Sequence, residues 1–285
     1  MTDAARRVDA HHHLWDLDVR DQPWTIDLPA LRRTFDMYEL GPKLAKARID
    51  GTVLVQTICV PEETPEFLAL AAADDFVLGV VGWVDLTGPA VADRLAELAA
   101  LPGGQYLVGV RHQVQGEPDP RWLLRPDVRA GLRAVADAGL VYDLLVTPEQ
   151  LPAAVETVRD LPHLRFVLDH GGKPRIGDGE LDPWRAMISG LAVHENAAVK
   201  LSGLLTEARP EWALDDLRPF AEHLVDSFSA ERVMFGSDWP VSILRAGYED
   251  VVAITETLVE HCTPYERQQI FGGTAQRWYR LGGGR

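Results

Sequence analysis

Cysteine is nearly absent: the 285 residues include two, Cys59 and Cys262, with no CxxC spacing. That excludes a disulfide-stapled scaffold and a thiolate zinc knot, and it points to a reducing compartment, the cytoplasm. No leader-like apolar segment opens the chain, and no apolar run approaches the roughly 20 residues that span a bilayer. A membrane partner is therefore not expected. Basic residues are outnumbered, 28 Lys and Arg against 43 Asp and Glu, for a net charge of −15. With no basic stripe, such a surface repels nucleic acid. A Gly-x-Ser-x-Gly elbow is missing and neither cysteine sits in a nucleophile motif, which argues against a serine or thiol acyl-enzyme.

What is present is a regular alternation. Val/Leu/Ile-rich runs recur at 8–14, 52–56, 76–83, 107–112, 140–146, 165–170, 198–202 and 232–237. Nearly continuous apolar runs of this length suit strands buried on both faces. Between them, Val91/Leu95/Leu98, Val128/Leu132/Val135, Leu151/Val155/Val158, Trp184/Ile188/Leu191 and Leu217/Leu224/Phe228 each fall on one helix face. Capping residues followed by proline, at Thr64-Pro65, Thr147-Pro148, Asp182-Pro183 and Thr263-Pro264, mark helix starts. Glu266 completes a capping box with Thr263. Eight strands alternating with helices, with no linker to divide the chain, predict a single-domain α/β fold over residues 1–285, a (β/α)8 TIM barrel. An open doubly wound sheet is the competitor. The first strand-to-helix turn, however, carries histidines where a dinucleotide-binding sheet needs a glycine-rich cradle.

In such a barrel, residues at the C-terminal strand ends converge on one mouth. The first strand reads Asp9-Ala10-His11-His12-His13-Leu14-Trp15. Strict alternation would put Asp9, His11 and His13 on one face, where two imidazoles can hold a metal or grip a polar substrate. A purification tag or a core histidine is the bland alternative, and continuation into Leu14-Trp15 speaks against a tag. The eighth run ends in Asp238, a carboxylate able to orient and deprotonate water; its alternative role is an N-cap for the following turn. His170 shares a predicted strand face with Phe166 and Leu168, and Gly171-Gly172 would let backbone approach a ligand. A structural histidine at a strand end is its alternative. Arg111 can grip substrate oxygens or pair with Asp143 or Asp169, and these two roles stay open. Lys200 reads as a salt-bridging residue. His112, Tyr142, Lys173, Trp83 and Trp239 also stand at strand ends and complete a polar and aromatic set of expected substrate contacts.

Taken in order, these segments resemble the amidohydrolase superfamily, in particular its amidohydrolase-2 branch of sugar-lactone and dicarboxylate-lactone hydrolases. The resemblance spans nearly the whole chain. It rests on the Asp9–Trp15 motif, Val55-Gln56, residues 79–86, Gly109-Val110-Arg111-His112, Asp169-His170-Gly171-Gly172-Lys173-Pro174, Lys200-Leu201-Ser202-Gly203, Phe235-Gly236-Ser237-Asp238-Trp239-Pro240 and Phe271-Gly272-Gly273-Thr274-Ala275. It implies hydrolysis of a cyclic ester, with Asp238 as base and His11, His13 and His170 around the carbonyl or a metal. Where relatives often carry a bridging lysine this chain reads Val141-Tyr142-Asp143, so a two-metal site is not expected. A single divalent ion, zinc before others, weakly held and not obligatory, would take His11, His13 and Asp238 as ligands with water in the open position. No organic cofactor is implied. Lactonases for aromatic dicarboxylates are expected to aim several arginines at carboxylates. Arg111 is the clearest inward one here, with Arg121 and Arg125 in the following loop, so a small sugar lactone such as a fucono-, rhamnono- or galactono-lactone is the expected partner. A metal-dependent decarboxylase of an aromatic acid, a dicarboxylate lactonase and a non-catalytic sugar-acid-binding barrel are the competing readings.

Overall fold

The computed structural model describes residues 6–282. Among them, eight strands run in chain order, each parallel to the next: β1 Val8–His12, β2 Gly51–Val55, β3 Val77–Gly82, β4 Leu107–His112, β5 Val141–Leu144, β6 Arg165–Leu168, β7 Ala197–Leu201 and β8 Val233–Phe235. The connections carry α1 Met37–Ala47, α2 Glu63–Ala73, α3 Val91–Ala100, α4 Pro126–Asp137, α5 Leu151–Asp160, α6 Trp184–Ala192, α7 Leu204–Glu207, α8 Leu214–Phe228 and α9 Tyr248–Leu258. The chain then ends in α10 Pro264–Gln268 and α11 Thr274–Trp278. This is the expected (β/α)8 barrel. No helix among the described residues is long and apolar enough to cross a membrane.

Closure falls at the site itself. The backbone N–H of Asp238 donates to the carbonyl of His11 (2.8 Å), and that of His13 donates to the carbonyl of Trp239 (2.7 Å). The segments bearing the two histidines and the aspartate are thus stitched together by main chain, which fixes their spacing independently of side-chain packing.

Strand alternation divides the core in two. Val8, Ala10, Val53, Val55, Val81, Val141, Val167, Ala198 and Met234 face the barrel interior, closed from the strand-start end by Ala275, Trp278 and Tyr279 around α11. The opposite faces, among them Leu54, Val80, Val110, Tyr142, Leu144, Phe166, Leu168 and Val233, pack under the helices. The capping signals fared unevenly. Thr263 and Glu266 form the expected capping box, and Thr147 makes one with Gln150 ahead of α5. Thr64 instead lies inside α2, where its hydroxyl oxygen accepts from the backbone of Trp83 (2.8 Å), and Asp182 makes no cap, since α6 begins behind Pro183.

Candidate active site

Two local departures from regular strand build the mouth. In β1, the pairing with β2 skips one extra residue between Asp9 and His12, a β-bulge. Strict alternation therefore fails at this point. Asp9 does not share the face of His11 and His13; its carboxylate accepts from the Tyr248 hydroxyl of α9 (3.0 Å) and from the Ser237 backbone (2.8 Å), and burial raises its pKa to about 6. The bulge turns His11 and His13 inward, their Nε2 atoms 3.1 Å apart.

The second departure corrects the reading of His170 as a strand residue. β6 stops at Leu168, and His170, Gly171, Gly172 and Lys173 follow with φ of 53°, 57°, 73° and 52°. Four successive residues in the left-handed region swing His170 back over the mouth, a conformation costly for residues with a Cβ and free for glycine. The glycine pair serves this turn, packed on Leu224 and Leu151. Gly203 makes room for the ring: a Cβ there would lie 2.6 Å from His170 Nδ1. Ser202 Oγ then meets that nitrogen at 3.0 Å.

Asp238 occupies the centre of the result. Its Oδ1 lies 3.7 Å from His11 Nε2, 3.6 Å from His13 Nε2 and 3.9 Å from His170 Nε2. It makes no cap on the following turn, which begins behind Pro240. Burial pushes its pKa up, but His170 and then His13 outweigh that and hold it below the ordinary aspartate value. Burial pulls His170 down to about 4, against the opposing pull of Asp238. His11 is held well below the ordinary histidine value, first by burial and then by Lys200. The mouth therefore pairs an ionised carboxylate with neutral imidazoles at His11 and His170.

Beneath it lies a buried charge network. Arg111 donates to Asp169 Oδ2 (2.9 Å) and to Gln56 Oε1 (2.9 Å). Asp169 Oδ1 lies 2.9 Å from Lys200 Nζ, which also bonds Asp143 Oδ2 (2.5 Å) and His11 Nδ1 (3.0 Å). Asp143 accepts in turn from the Tyr279 hydroxyl (2.8 Å). Arg111 is an ion-pair partner of Asp169 and also lines the mouth, so the pairing does not take it away from a position where it can meet a substrate. Lys200 is the salt-bridging residue that was expected.

Chemically, Lys200 can only donate and ionised Asp169 can only accept, and both face His11 Nδ1, the latter at 3.3 Å. Whichever one holds that nitrogen decides what Nε2 presents to the mouth. Accepting from Lys200, His11 turns an N–H toward His13, whose Nδ1 meets the carbonyl of Val55 (2.8 Å). Donating to Asp169, it turns a lone pair. In that state the His11, His13 and Asp238 atoms, 3.1, 3.7 and 3.6 Å apart, approximate the edges of roughly 3.3–3.5 Å around a tetrahedral zinc. The residues present fit one divalent ion.

The cavity over these groups has a volume of about 300 Å3. Lys173 lines it, as expected, together with His13, Arg111, His170 and Asp238. Four expected substrate contacts lie elsewhere. Tyr142 faces the helices, because its neighbours Val141 and Asp143 take the inward positions, and its ring meets Phe166 at 6.2 Å. Trp239 is fully buried against Phe35. His112 stacks on Trp122 at 4.3 Å, binds Glu117 through Nε2 (2.7 Å) and accepts from the Trp83 indole (3.0 Å), and neither His112 nor Trp83 lines the cavity. Sequence reasoning missed Trp24, Thr57, Gln113, Gln115, Thr206 and Glu207, which line the cavity from loops and a short helix. A second cavity of about 310 Å3 lies between the β1–α1 loop and α2, with none of the imidazoles.

Between the two cavities Glu63, in the first turn of α2, accepts from the Thr57 backbone (2.8 Å), and burial raises its pKa from about 4.5 to about 7. The folded chain thus keeps a proton that the unfolded chain has lost, and stability falls as pH rises from 4.5 through 7. Glu63→Gln, which cannot ionise, should be more stable than the parent by about 2–3 kcal/mol at pH 8, the gap shrinking toward pH 5. Urea unfolding at both pH values measures it, and a pH-independent difference contradicts the assignment.

A carboxylate and three imidazoles at the C-terminal mouth of a parallel barrel define a hydrolytic barrel enzyme. The chain belongs to the amidohydrolase family, whose model matches residues 8–281. It is 38% identical over 280 residues to an L-fucono-1,5-lactonase of Burkholderia ambifaria, covering 96% of each chain. It is 36% identical over 290 residues to the L-fucono-1,5-lactonase of Burkholderia multivorans, covering 97% of each. Among solved structures, a zinc-bound amidohydrolase from Burkholderia multivorans superposes with a TM-score of 0.91 at 35% identity, covering 97% of this chain and 100% of that one.

Proposed function

We propose that the protein opens an uncharged sugar lactone, an aldono-1,4- or 1,5-lactone, to the aldonate. The observation that carries this reading is Asp238. It is a buried carboxylate whose nearest imidazoles stand at 3.6–3.9 Å, too far for direct hydrogen bonds and close enough to share one small guest. The lactonase names of the two Burkholderia relatives support the substrate class.

Asp238 takes a proton from water as the water oxygen bonds to the lactone carbonyl carbon. With Ser202 donating to Nδ1, neutral His170 directs its Nε2–H at the mouth, where it stabilises the oxygen that gains charge. Asp238 then returns the proton to the ring oxygen as the acyl–oxygen bond breaks, leaving a free hydroxyl and a carboxylic acid that loses its remaining proton to solvent to give the aldonate. A divalent ion held by His11, His13 and Asp238 would add Lewis-acid polarisation of the carbonyl when bound. Proton release over a panel of aldonolactones tests the reading, with saturable opening of at least one expected. No rate above buffer for any of them overturns it, as does carbon dioxide release from an aromatic acid in their place.

A further inference from the structure

Two of the groups lining the mouth are basic side chains, Arg111 and Lys173, and each is already paired with a carboxylate. Arg111 is paired with Asp169. Lys173, which ends the left-handed turn after β6, donates to Glu207 Oε1 at 2.7 Å across the opening. Glu207 is the last residue of α7, directly beyond β7. About a quarter of each side chain is exposed (25% and 23%), so this pair meets whatever enters.

The neighbouring Thr206 and Gln113 carry no charge. The Thr206 hydroxyl donates to the Gly203 carbonyl (2.7 Å), and the Gln113 amide donates to the Thr57 carbonyl (2.7 Å). The Thr206 oxygen is left as an acceptor, and the Gln113 amide keeps its carbonyl oxygen and one N–H. Glu207 adds a carboxylate, while Lys173 keeps further N–H donors beside it. A hydroxyl both donates and accepts, and it can bridge such a pair. A carboxylate only accepts: it meets the charge of Glu207, and the cations lining the cavity, Arg111 and Lys173, are each already paired.

We propose that Glu207 is a specificity residue that restricts this mouth to uncharged polyhydroxy lactones by cancelling Lys173, and so excludes lactones bearing a free carboxylate. The inference rests on the lactone-hydrolysis reading and names the residue that sets its substrate charge. The test compares kcat/KM for galactono-1,4-lactone and galactaro-1,4-lactone, which differ by a terminal carbinol against a carboxylate. The parent protein should prefer the neutral lactone. Glu207→Gln should shift the ratio roughly tenfold toward the carboxylated lactone, mainly through KM, because Lys173 is then free to pair with it. Lys173→Gln, which leaves Glu207 alone, should shift the ratio the opposite way. Turnover of neutral lactone with a ratio unchanged within about twofold in both variants refutes the role of Glu207 and leaves the hydrolysis reading standing. A parent protein that opens neither galactono-1,4-lactone nor any other aldonolactone refutes that reading, and the specificity assignment falls with it.

Discussion

Asp238→Asn should lower kcat for lactone opening by about 10³-fold or more, with KM changed little, the loss expected when a positioned general base is removed. Asparagine keeps the shape and the backbone bond from residue 238 to the His11 carbonyl, so the barrel seam survives. What it loses is the negative charge. In the folded protein that charge is held below the ordinary aspartate range by His170 and His13, and Asp238 is therefore ionised throughout the neutral range. Asp238 also sits at φ 55°, a left-handed conformation that a non-glycine residue adopts at a cost. Such strain at a buried carboxylate set among three imidazoles fits a site shaped for chemistry. Steady-state kinetics, with circular dichroism to confirm the fold, checks the expectation, and kcat within tenfold of the parent protein contradicts it.

Lys200→Met should be the most destabilising of the substitutions considered, by about 3–5 kcal/mol. Lys200 lies among Asp143, Asp169 and His11, all fully buried. Asp169 retains Arg111 when the lysine is removed, but Asp143 keeps only the Tyr279 hydroxyl, and a buried carboxylate without a cation is costly. The cost should therefore be coupled. Adding Asp143→Leu to Lys200→Met should recover at least about half of the loss, since removing both charges leaves no unpaired ion. Urea unfolding of the two single variants and the double measures this coupling. Additive losses would show that the network is not what stabilises the interior.

The barrel was legible because inward and outward strand positions are both apolar, so each strand stands out as a short continuous run. Arg111, Asp238, His11 and His13 were legible because polar groups at strand ends have no reason to recur in a core. Misreadings arose where the backbone leaves the regular period. The β1 bulge breaks the alternation that grouped Asp9 with the histidines. The left-handed turn at 170–173 ends β6 two residues early, and its signal was present in Gly171-Gly172, read there as ligand approach. Tyr142 was recoverable: once Asp143 is assigned to the interior, its neighbour must face the helices. Trp24, Thr206 and Glu207 were not, because loop and short-helix residues reach the mouth through tertiary placement, which no periodicity records.

The most direct measurement is a single turnover of an aldonolactone in 18O-labelled water, followed by mass spectrometry of the product. Attack of Asp238-activated water on the carbonyl predicts one label, in the carboxylate, and a turnover that collapses in Asp238→Asn. Label in the released hydroxyl, or equal turnover by the variant, would contradict it.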